Sequence, residues 1–325
     1  MPTRVWGLLL VALAVASVAG LAFGSVSIAP AELWALARGG GDAGLATIVW
    51  TLRLPRLVLA AGVGAGLAVS GCALQRTLRN PLAEPYLLGV SGGAAVGAVI
   101  AQAVGAAFFL LPIAAFVGAG SAVLLVLGVA RAVAGRADTR TLLMSGVVVG
   151  AFANAAIMIV LAGASEQAVR GALWWMMGSV GAADWRSASM VWGYVLVGGA
   201  ALFAWGRALD AIALGEEFAA AVGVRVDRLV PRLFLVAALV AAATVAGAGL
   251  IGFVGLIVPS VARSLGARGT RAQLVAAALA GATLVIVADV IARTVRAPLE
   301  LPLGAVTALI GVPFFLLRLR RAAAA

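Results

Sequence analysis

Histidine and lysine are absent from the 325-residue chain, and cysteine occurs once, at Cys72. Without histidine the commonest metal ligand and general base is missing. One cysteine inside an apolar run builds neither a disulfide framework nor a thiolate metal cluster. No GxxxxGK[ST] phosphate-binding loop occurs, and none can be written without lysine, so the chain has no nucleotide-binding signature of its own. Charge is scarce too: 11% of residues are charged, against roughly 25% in soluble domains. These absences argue against a soluble enzyme with an apolar core.

What is present points to a membrane. Hydrophobic residues make up 64% of the chain, mean hydropathy is +1.15 and 41 residues are glycine. Glycine weakens soluble helices but is ordinary in membrane bundles, where small residues let backbones approach. All 23 basic residues are arginine and the net charge is +11, a balance that fits nucleic acid or cytoplasmic loops. Their placement decides between the two. Apolar spans are expected near 5–28, 56–75, 85–104, 110–130, 141–163, 187–206, 230–249, 251–264, 272–291 and 302–317. With the N-terminus inside, the outer segments hold Arg38, Arg53, Arg56, Arg170, Arg186, Arg293 and Arg296, and the other sixteen lie inside. This is the positive-inside pattern with both termini cytoplasmic, and it argues against nucleic acid.

Two spans need a decision. From Leu233 to Ala262 there are 30 residues without a charge. As one helix they would run about 45 Å through a core of about 30 Å, and two full crossings would need about 40 residues. Gly247, Gly249, Gly252 and Gly255 offer a break, and a single crossing would put Arg318, Arg320 and Arg321 outside. Two crossings, one of them short, are expected, giving about ten helices in all. The first run also fits a signal peptide, but at about 20 residues it exceeds the usual 7–15-residue apolar region, so a retained helix is expected. No soluble domain and no internal repeat is visible, and residues 1–325 read as one transmembrane domain.

Arg53 to Ala95 reads RLPRLVLAAGVGAGLAVSGCALQRTLRNPLAEPYLLGVSGGAA, two apolar runs around a polar corner. This hairpin resembles the signature of the FecCD-type permeases, the membrane subunits of type II ABC importers for vitamin B12, ferric siderophores or haem. Gly249 to Pro259 with Ala262-Arg263, Ala288-Asp289 with Ala292-Arg293, Glu300 to Gly304 and Gly311 to Phe315 extend the resemblance over nearly the whole chain. Trp174 to Gly178 with Asp184-Trp185-Arg186 is similar to the vitamin B12 permeases. Ser260 and Gly269-Thr270-Arg271 depart from the family, many of whose members carry histidines in these places.

The inner loop at 209–228 reads LDAIALGEEFAAAVGVRVDR, which by itself is either a solvated loop or two short helices about a glycine turn. Leu214, Gly215, Glu216, Glu217, Ala219, Gly223 and Val224 resemble the family's coupling loop, which docks into the ATPase subunit. A rigid knob is what transmitting a domain motion requires. Arg53 and Arg56 bracket Pro55 at the outer end of the second span, and Arg293 ends the ninth. They either snorkel to headgroups or, as the resemblance implies, pair with glutamates of a periplasmic or lipid-anchored substrate-binding protein. Asp289 and Arg293, four apart, share a helix face and are expected to pair rather than relay protons. Glu166 and Asp184 look too far apart to form a catalytic pair. The Asn80-Pro81-Leu82 corner is sufficient as architecture. By resemblance Asn80 and Leu82, with Thr139 and Arg140, line a cytoplasmic gate.

The expectation is an all-helical permease working as a homodimer in the bacterial cytoplasmic membrane. It implies two ATP-binding subunits beneath, which use ATP and magnesium, and a binding protein above; the chain itself holds no cofactor or metal. The absence of histidine and of any methionine or tyrosine cluster predicts that a bulky metal chelate passes without being coordinated. The scarcity of ionisable groups in the spans argues against the alternative, an ion-coupled secondary transporter.

Overall fold

The computed structural model describes residues 2–134 and 139–323. It is all-helical, with no strand among the described residues. The principal helices are α1 (Thr3–Ala22), α2 (Leu54–Thr77), α3 (Val90–Ala103), α4 (Leu111–Ala134), α5 (Thr139–Ala162) and α6 (Trp185–Ala204). They continue with α7 (Gly206–Leu214), α8 (Glu216–Ala221), α9 (Val226–Ala248), α10 (Val254–Ser264), α11 (Thr270–Thr294) and α12 (Leu303–Ala323). Short helices at Pro30–Ala37 and Glu166–Met176 lie between them. Two acids between α5 and α6 have local duties: Glu166 pairs with Arg170 at 2.8 Å, and Asp184 caps α6 by accepting from the Ser187 amide at 2.8 Å.

Among the described residues, seven segments are long and apolar enough to cross a bilayer: 3–22, 43–77, 111–133, 139–162, 185–204, 226–248 and 270–294. The spans expected at 85–104 and 251–264 fall instead on shorter apolar helices, Val90–Ala103 and Val254–Ser264, and the one expected at 302–317 falls on α12. The physical reason for the two short helices is backbone geometry at their starts. Pro85–Leu88 is a 3₁₀ turn and Gly89 has φ +80°, so α3 begins late. After α9, Gly249 has φ +71° and Phe253 has φ +69°, and residues 249–253 are not helical.

Irregular backbone away from water needs partners. The Ile251 amide donates to the Tyr86 hydroxyl at 2.8 Å, and the Phe253 amide donates to Glu84 Oε1 at 2.9 Å. Pro259 inside α10 lacks an amide proton, so the carbonyl four residues back loses its helical donor. Gln75 Nε2 reaches that Gly255 oxygen at 3.3 Å and the Leu256 oxygen at 3.0 Å.

α2 is the central helix, buried over most of its length and packed on α6, α9, α10 and α11. Its glycines make this possible: a Cβ on Gly64 would run into the Gly281 carbonyl, and one on Gly71 into the Gly255 carbonyl. The packing also shows a repeat hidden in the sequence. The lengths of α2 to α5 (24, 14, 24 and 24 residues) parallel those of α9 to α12 (23, 11, 25 and 21). Contacts repeat as well: α2 packs on α11 as α9 packs on α4, and α2 on α10 as α9 on α3.

Candidate functional site

Charged side chains gather at the two ends of α2. Near its start, Arg56 lies between two carboxylates. Its Nε and Nη2 donate to Asp289 at 3.0 and 2.8 Å, and its Nη1 and Nη2 donate to Glu300 at 2.7 and 2.9 Å. Paired forks of this kind are the strong, geometrically specific form of arginine recognition. Arg293 Nε stands 3.3 Å from Asp289 Oδ2, the expected four-residue pair, but without hydrogen-bond geometry. Asp289 therefore serves two arginines. Glu300 is the open edge of the cluster, with its side chain 44% exposed against 12% for Arg56. The hydrogen bonds from Arg56 hold the Glu300 carboxyl below the ordinary carboxylate range.

Arg53 and Arg293 do not present guanidiniums outward. Arg53 is 5% exposed and donates to the carbonyls of Leu21, Ala22 and Val26. Arg293, also buried, donates to the carbonyl of Gly20. A helix C-terminus leaves carbonyls without intrahelical donors and carries partial negative charge. Two of the three arginines grouped in the sequence thus close the end of α1. What they share with Arg56 is a place in one cluster, not a common exposed face.

At the other end of α2 the arrangement is looser. Arg79 has φ +47°, and the Leu82 amide donates to Asn80 Oδ1 at 2.9 Å, which sets the Asn80-Pro81-Leu82 corner. Leu82 is 45% exposed, Arg140 is exposed and Thr139 is half-buried at the start of α5. The loop at 209–228 folds as two short helices, α7 and α8, about Gly215, whose φ of +135° suits glycine. Gly223, at φ +87°, turns the chain from α8 toward Val224 and α9. Leu214, Phe218 and Val222 are exposed apolar residues on this loop, and Ala219 anchors it by burial.

The adjacent glutamates of α8 differ. Glu217 is exposed, whereas Glu216 accepts from Thr139 Oγ1 at 3.1 Å and stands 3.8 Å from Arg79 Nη2. A cleft of about 790 Å³ opens beside them, lined in part by Arg79, Leu214, Glu216, Phe218 and Val230. Sequence reasoning did not single out Asp210 in α7. It accepts from Arg76 at 2.9 Å and from the Thr270 amide and hydroxyl at 2.9 and 2.7 Å, tying the loop to α2 and α11. Glu84 and Tyr86 were also missed as partners of the broken segment. An acid next to the Asn-Pro corner was the one available signal.

Residues 9–321 match the family model described as the FecCD transport family. The cobalamin import system permease of Halobacterium salinarum is 43% identical over 84% of this chain and 73% of the relative. The hemin transport system permease of Yersinia pestis is 35% identical over 97% of this chain and 95% of the relative. Among solved structures, one described as an inward-facing conformation of a metal-chelate type ABC transporter superposes with a TM-score of 0.90. It is 27% identical and covers 99% of this chain and 100% of that one. An ion-coupled secondary transporter finds no support among these relatives.

Proposed function

This multi-pass membrane protein belongs to the FecCD transport family, and on that footing we propose that it is the permease of a binding-protein-dependent ABC importer. It carries a bulky metal chelate inward, a corrinoid, a ferric siderophore or haem, by alternating access driven by ATP. The ATP and magnesium are used by two separate ATPase subunits. Two copies of the chain, each crossing the bacterial cytoplasmic membrane ten times with both termini inside, line the pathway on their two-fold axis. The observation that supports this reading most is that the family match and the whole-chain structural likeness cover the same residues, including every helix from α2 to α11.

The residues divide by end. The α7–α8 loop is the coupling element, with exposed Leu214, Glu217 and Phe218 facing the ATPase. Asn80, Leu82, Thr139 and Arg140 form the cytoplasmic gate. For docking the binding protein we narrow the three arginines to Arg56, the one whose carboxylate partner Glu300 is open to solvent. A partner's carboxylate has to replace Glu300 on Arg56. Such charge pairing sets register and encounter rate, and it weakens as salt is raised.

The test is ATP hydrolysis by the purified permease reconstituted with its cognate ATPase, with and without candidate binding proteins. Stimulation by one binding protein, lost in a double substitution of Gly215 and Glu217, is the expected result. Failure to assemble with an ATPase would overturn the importer reading.

A further inference from the structure

Glu216 joins the α7–α8 loop to the gate corner. Glu216 and Glu217 sit side by side at the start of α8 but point to different surroundings. Glu217 is exposed, while Glu216 is half-buried and touches two segments remote in sequence: Thr139 at the first turn of α5, and Arg79 at the end of α2. Thr139 has one hydroxyl proton and two candidate acceptors. The Glu216 carboxylate at 3.1 Å outcompetes the Thr77 carbonyl at 3.5 Å on distance, and on charge as well. Arg79 immediately precedes the Asn80-Pro81 corner and holds a left-handed backbone there, so a pull on its side chain acts on the corner's pivot. The principal packing of α8 is against α7 and α9, neither of which carries a gate residue. A helix of six residues gains a little from an acid in its first turn, but Glu217 supplies that equally well.

We infer that Glu216 is the positioning residue that carries a displacement of the α7–α8 loop to the gate, through Thr139 on one side and Arg79 on the other. Glu217 and the exposed apolar residues take the push from the ATPase, and Glu216 delivers it. The inference rests on the importer reading, because it assumes that the loop is moved by a partner.

The experiment reads the gate directly and requires no cargo. The native Cys72 is fully buried, so Leu82→Cys supplies one accessible thiol at the corner. Its labelling rate by a fluorescent maleimide is measured on isolated permease–ATPase complexes, with and without ATP and vanadate, and normalised to the ATP hydrolysed. In the otherwise native chain ATP is expected to change the rate at least fivefold. Glu216→Ala and Thr139→Val each bring that change below twofold, the double variant is no worse than either, and Thr139→Ser keeps it. Two effects that multiply, or a response untouched by Glu216→Ala, would overturn the inference alone. Should Glu216→Ala fail to assemble, the contrast between Thr139→Val and Thr139→Ser carries the decision. Complexes of the native background that hydrolyse ATP with no change at Leu82→Cys overturn it as well. A native chain that forms no ATPase complex removes the importer reading instead.

Discussion

The two ends of α2 are both charged, yet they are built on different terms. At the N-terminal end Arg56 is saturated by two carboxylates, Asp289 is 3% exposed, and Arg53 and Arg293 close the carbonyls of α1. At the C-terminal end Arg79 and Glu216 stand 3.8 Å apart with side chains 45% and 31% exposed, and glycines at positive φ bracket α8. A buried ion cluster whose members share partners resists displacement, because moving one ion strands another. A solvated pair and glycine turns yield cheaply. The N-terminal end of α2 therefore reads as a fixed platform and the C-terminal end as the yielding part, the division that the proposed alternating access would require.

The strongest attempt to break this contrast is Asp289→Asn. It leaves Arg56 and Arg293 without their shared acid in a buried site, and a loss of about 3–5 kcal/mol in stability is expected, read by thermal unfolding in detergent. If unfolding is unchanged, the Arg56 cluster is not a platform. Asp210→Asn, at the C-terminal end of α2, removes an acceptor shared by Arg76 and Thr270 where Asp210 is 41% exposed. A smaller loss of about 1–2 kcal/mol is expected in the same assay, and a loss equal to that of Asp289→Asn would erase the contrast.

Next in size is Glu300→Gln, which weakens the resident occupant of Arg56. It should tighten binding of the proposed binding protein at least threefold at low salt, whereas Glu166→Gln, at an exposed acid paired elsewhere, should leave affinity within twofold. Weaker binding by Glu300→Gln would show that Glu300 itself meets the partner. Arg79→Ala should cost under about 1 kcal/mol of stability, and a larger loss would make the Arg79–Glu216 pair a structural element instead of a yielding one.

The smallest expected effect is with pH. The folded-state pKa of Glu300 is lowered by Arg56, so its stabilising pair is present above the ordinary carboxylate range near 4 and is lost as pH falls through its own lower value. Thermal stability should show no step from this pair between about pH 8 and 5. A transition near neutrality, abolished by Glu300→Gln, would contradict the assignment.

How much was legible follows from range along the chain. The apolar runs and the Asn80-Pro81 corner are local patterns, and helices or turns stand where they pointed. The glycines between 247 and 255 marked the break after α9, and the four-residue spacing of Asp289 and Arg293 marked their pair. The repeat of α2 to α5 in α9 to α12 left no visible trace, because membrane packing asks only for small and apolar residues in register, and many sequences meet that demand.

The cluster partners could not be read from any window. Arg56 meets Asp289 across 233 residues and Glu300 across 244, and Glu216 meets Thr139 across 77. By itself the sequence determined that the chain is a glycine-rich, arginine-biased bundle of membrane helices with a turn-bounded loop on one side, since hydropathy and backbone preference act over a few residues. Tertiary structure alone decided which arginine keeps an open partner, and which of two neighbouring glutamates meets Thr139 and Arg79. Those outcomes depend on which helix ends packing brings within about 3 Å of one another.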